Sequence, residues 1–74
     1  MKKIGKRIDV NSLEIGKKYF IVSESPFSNC VLLYVGHVHN PKKFTFTFGE
    51  TVDSWINNFN LCISKSNFKA YEVD

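Results

Sequence analysis

The chain is poor in the residues that usually carry chemistry. Its 74 residues include two cysteines, two histidines, two prolines, four glycines and a single arginine, Arg7. No Cys-x-x-Cys or His-x-x-x-His spacing occurs, which excludes the common zinc frameworks. His37 and His39 stand two apart and would share one face of a strand, but Cys30 has the opposite parity and would face away from them. No glycine-rich phosphate loop is present. Ser23, Ser25 and Ser28 lie in no nucleophile elbow. The expectation is a protein with no catalytic residue, no metal site and no cofactor. Long apolar stretches are missing as well. The longest, Val31 to Val35, is far too short to span a bilayer. The charged opening is followed by no apolar stretch of signal-peptide length, and no Asn-x-Ser/Thr acceptor exists. With only Cys30 and Cys62, each inside an apolar run, the reading is two reduced thiols buried as small hydrophobes in a cytoplasmic protein.

What the chain does have is apolar and aromatic mass. Hydrophobic residues make up 43% and aromatics 15%, with seven Phe, three Tyr and one Trp, a composition that disordered chains do not reach. A chain of this length makes one domain whose core is small. Periodicity identifies strands. Phe44-Thr45-Phe46-Thr47-Phe48 alternates strictly, placing three Phe on one face and two Thr on the other. Lys17 to Ser23 is rich in aromatic and β-branched residues. Cys30 to His39 is a longer strand whose continuous run implies cover on both faces, and Gly36 marks a bulge or corner in it. Leu61 to Ser64 and Phe68 to Val73 complete the set.

Asp9 to Gly16 reads as a short turn or helix capped by Asn11 or Ser12, with Leu13 and Ile15 plugging the base of the core. The spacing predicts an all-β fold, a five-stranded barrel over residues 9–74, because closure removes the edges of so small a sheet.

Positive charge gathers at the front. Residues 1–18 carry a balance of +4 and residues 19–74 a balance of −1, within a net charge of +3. Residues 1–8 are therefore expected to be a basic, flexible arm.

The segment Leu13-Glu14-Ile15-Gly16-Lys17-Lys18-Tyr19 resembles the Leu-x-x-Gly-x-x-Tyr lead-in to the first strand of SH3-like small barrels. Phe68-Lys69-Ala70-Tyr71-Glu72-Val73 is similar to the last strand of short barrels from bacteriophages and large DNA viruses. The resemblance implies the SH3-like barrel fold. It carries no binding residue across, because the aromatic and acidic peptide-binding pattern of eukaryotic SH3 domains, Tudor-type cages and the KOW motif are all missing.

Two functions remain open. One is a viral or phage accessory module that binds a host protein through aromatic anchors, with Phe27, Trp55 and Phe59 as candidates. Trp55 has a second reading, as a plug for one end of the barrel. The other function is a nucleic-acid-binding barrel that uses Lys2, Lys3, Lys6, Arg7, Lys17 and Lys18.

Overall fold

The computed structural model describes residues 4–24 and 29–73, in which the chain forms six strands: β1 (Ile4–Ile8), β2 (Lys18–Ser23), β3 (Cys30–Gly36), β4 (Lys43–Thr47), β5 (Asn60–Ser64) and β6 (Phe68–Val73). Short 3-10 turns at Val10–Ser12, Val52–Ile56 and Lys65–Asn67 interrupt them. All pairings are antiparallel, in the order β1-β6-β2-β3-β4-β5. Among the described residues no helix is long and apolar enough to cross a membrane.

The fold is all-β as the patterning requires, with two differences. The sheet has six strands rather than five, and it does not close: β1 and β5 stand at its two edges. The added strand comes from the segment expected to be a flexible arm. Four of the five β1 residues are exposed, so no apolar alternation marks it in the sequence. Main-chain pairing to β6 holds it, with Arg7 opposite Tyr71 and Ile8 opposite Ala70. Met1, Lys2 and Lys3 lie outside the described residues.

The core lies on one face of the curled sheet. Tyr19 and Ile21 (β2), Leu32 and Tyr34 (β3), Phe44 and Phe46 (β4), Leu61 and Ile63 (β5), and Phe68 and Ala70 (β6) form one buried cluster. Phe46 sits at its centre, fully buried, with ring centroids 5.3 Å from Tyr34 and 5.4 Å from Phe68. The third Phe of the alternating run departs from expectation. β4 ends at Thr47, and Phe48 is 41% exposed.

A second layer covers the other face of β3 and β4. Leu33, Val35, Thr45 and Thr47 are all buried, and the 3-10 turn Val52–Ile56 packs against both strands. Cover on both faces of β3 is what its continuous apolar run required. The buried hydroxyls are satisfied: Thr47 Oγ1 accepts from the Gly49 amide at 3.1 Å, and Thr45 Oγ1 lies 3.5 Å from Cys62 Sγ. Gly36, at φ 92°, takes up the bulge between Tyr34 and Gly36 in the β3–β4 register, a conformation that side chains with a Cβ rarely adopt. Gly49 is required for a different reason. A Cβ there would run into the Ser54 side chain that anchors the covering turn.

Three local expectations change. The first turn is capped by Asp9, whose carboxylate accepts from the Asn11 amide at 2.9 Å, and not by Asn11 or Ser12. Leu13 packs on the core, but Ile15 is 63% exposed and lies beside the Gly36 backbone, because the turn at Gly16 swings it outward. Both cysteines are free thiols, yet only Cys30 is partly covered. Cys62 points to the outer side of edge strand β5 and is exposed.

Candidate functional site

Two surface features stand out, an apolar patch around the covering turn and a cation-lined cleft at the opened side of the sheet. The patch follows from the chain's return after β4. Phe48 donates its amide to the Phe59 carbonyl at 3.0 Å, which closes residues 49–58 into a loop over the second layer. The two rings lie 5.6 Å apart, and Phe59 is 56% exposed. Ile56, at the end of the same turn, is 65% exposed, and Val52 at its start is 37% exposed.

Trp55 lies between the two roles considered for it. It is half-buried, its turn packs on β3 and β4, and the His39 ring meets it edge-on at 5.2 Å. Asn60 ties it down by donating Nδ2 to the Trp55 carbonyl at 2.7 Å. Trp55 is thus held within the covering turn by His39 and Asn60. Phe27, the third expected anchor, lies outside the described residues.

The histidines do not share a strand face, because β3 ends at Gly36. His37 Nδ1 donates to the Lys43 carbonyl at 2.8 Å and its ring packs on Phe44, while His39 Nε2 accepts from Asn60 at 3.4 Å. Among the described residues no group of three His, Cys, Asp or Glu side chains could hold a metal ion.

The described cations of the expected nucleic-acid-binding set fall on different elements. Lys17 is 3.8 Å from Glu14, and Lys18 reaches Glu50 at 2.5 Å. Lys6 and Arg7 remain exposed on β1. Arg7 borders two clefts that adjoin. One, of 870 Å³, lies between the end of β1 and the β5–β6 connection and is edged by Lys42 and Lys65. The other, of 490 Å³, is edged by Lys65 and Lys69. Lys42, Lys65 and Lys69 belong to the segment 19–74 whose charges balance to −1, and they meet Arg7 at the clefts through the pairing of β1 with β6.

Cys30 and Tyr34 titrate away from their ordinary values. Burial raises the Cys30 thiol, and burial, then the neighbouring Tyr19, raises the Tyr34 phenol. Neither borders the clefts, and both are consistent with structural roles. Comparison of the chain with protein-family models, with curated proteins and with solved structures returned no match.

Proposed function

We propose that this protein is a non-enzymatic binding module that engages a protein partner through the patch formed by Phe48, Ile56 and Phe59, with Trp55 holding the turn beneath it. One observation carries the reading. Of the seven large apolar side chains exposed among the described residues, four (Phe48, Val52, Ile56 and Phe59) fall within the single segment 48–59. Scattered exposed apolar residues are ordinary, whereas a cluster held on a fixed turn is the form that interface anchors take. The fold reading that goes with it is an SH3-like small barrel with an extra edge strand. Support comes from the strand order β6-β2-β3-β4-β5 and the 3-10 turn between β5 and β6. A cytoplasmic viral or phage accessory role, occupying the surface of a host protein, fits that reading.

The test is a pair of variants, Ile56→Asp and Phe59→Ser, examined by thermal melting and by photo-crosslinking from position 52, an exposed position of the same segment, in the native host. Because both side chains are more than half exposed, melting should shift little, while partner capture should fall at least ~10-fold, as for interface anchors. Undiminished capture by both variants would refute the patch.

A further inference from the structure

The two clefts that meet at Arg7 form one groove, and its chemistry differs from that of the apolar patch. Four cations border it, Arg7, Lys42, Lys65 and Lys69, against two acids, Asp9 and Glu24. The Asp9 carboxylate accepts from the Asn11 amide as a turn cap, and the four cations against two acids leave the groove with a positive balance. Lys65 belongs to both clefts, so the positive edge is continuous.

Beside this groove lies a row of side chains on the outer face of the sheet. Arg7 stands opposite Tyr71, and Tyr71 stands opposite Phe20, so the three project to the same side of β1, β6 and β2. Directly opposed residues on an antiparallel pair hold their Cβ atoms about 5 Å apart, which makes Phe20 and Tyr71 neighbours on this face. Lys69, two residues before Tyr71 on β6, faces the same way and lies opposite Val22. Phe20 and Tyr71 are only partly covered.

We propose that this groove and the adjoining Phe20–Tyr71 pair bind single-stranded nucleic acid. Phosphates lie against Arg7, Lys42, Lys65 and Lys69, and unpaired bases stack on the two rings. A row of cations next to partly accessible aromatic side chains is an arrangement that single strands use, whereas a duplex hides its base faces from such rings. With one arginine among the cations, base-edge readout by bidentate contacts is minimal, and binding is tolerant of sequence.

The experiment measures fluorescence anisotropy of labelled 12-nucleotide single strands and of the corresponding duplex, at two salt concentrations. The single strand should bind more tightly. Each phosphate contact contributes ~0.7 to the salt slope on a single strand, so Arg7→Gln, Lys65→Gln and Lys69→Gln should each make the slope shallower by about that amount and weaken binding several-fold. Lys17→Gln, a lysine outside both clefts, should change neither. Tyr71→Leu keeps an apolar side chain on the face and should weaken the single strand with the salt slope unchanged, because it removes stacking and not charge. Equal binding of duplex and single strand would overturn the proposal. So would equal effects of Lys17→Gln and the groove variants, or full competition by a polyglutamate peptide at the same charge concentration.

Discussion

The alternating run Phe44–Phe48 makes its three phenylalanines look equivalent, and the structure makes them very unequal. Phe46 is fully buried, and its ring contacts Tyr34 and Phe68. Its strand neighbours in register are Tyr34 on one side and Leu61 on the other. Truncating such a side chain to Ala removes its transfer free energy and leaves a cavity, together about 3–5 kcal/mol. A chain of this length has a total stability of roughly 4–11 kcal/mol at ordinary per-residue values. Phe46→Ala should therefore lower the melting temperature by ~15–35 °C or leave the domain largely unfolded.

Phe48 is 41% exposed and rests mainly on Phe59, so Phe48→Ala should cost about 1 kcal/mol or less. Urea unfolding followed by the fluorescence of Trp55, the single tryptophan, reads both variants. Unchanged m values would keep the comparison valid. Phe46→Leu, which retains most of the volume, should fall between the two at roughly 1–2 kcal/mol and gives a measurable point if the alanine variant does not fold. Equal costs at positions 46 and 48 would refute the assignment of the core to one face that ends at Thr47.

Other expectations concern the covering turn and the titrating groups. Gly49→Ala forces a methyl group into Ser54 and should destabilise by about 1–3 kcal/mol, checked by the same urea titration. Asn60→Ala removes the donor to the Trp55 carbonyl and should cost about 1 kcal/mol, with a red shift in tryptophan emission as the turn loosens. Because burial raises the Cys30 thiol and the Tyr34 phenol, the folded chain holds these protons longer than the unfolded chain does. Stability should be intact below the ordinary thiol and phenol values of about 8.5 and 10, and should decline as pH climbs through them. A stability that stays flat from pH 8 to 11 would contradict this. Exposed Cys62 should be alkylated well before Cys30 in the native protein, read by mass spectrometry over time.

How legible each element was in the sequence depended on where its holding force comes from. β4 was visible because alternating Phe and Thr follow a pleat, and β3 was visible because an unbroken apolar run needs cover on both faces. That cover is supplied by Val52–Ile56, but the threonines it buries look like a solvent face, since a hydroxyl that finds a partner reads the same as one in water. β1 left no trace because its stabilisation is main-chain pairing, which Ile-Gly-Lys-Arg-Ile does not advertise. Phe59 was readable as a lone aromatic in an Asn-rich loop, whereas its companion Phe48 was absorbed into an alternating pattern that placed it inside, and Ile56 stood in no periodic pattern at all. The groove was not readable at all. Residues 7, 42, 65 and 69 come from separate segments, and only the strand order brings them to one side.

That strand order also has a consequence for how the molecule is made. β6 is the last of the six described strands, yet in the sheet it lies between β1 and β2. Until it is synthesised, β1 has no partner and β2 has a bare edge facing nothing, so segments amounting to most of the core emerge before the strand that joins the first of them to the rest. Pairing between the two ends, Ile4 with Val73, spans nearly the whole chain and carries the largest loop-closure entropy in the fold. A β2–β5 meander is the piece able to collect first, and β1 is the piece that docks last even though it is made first. The same pairing places residues 4 and 73 side by side, so a short linker joining them, with new ends opened elsewhere, would turn that long-range closure into a local hairpin and speed folding without altering a single contact of the core.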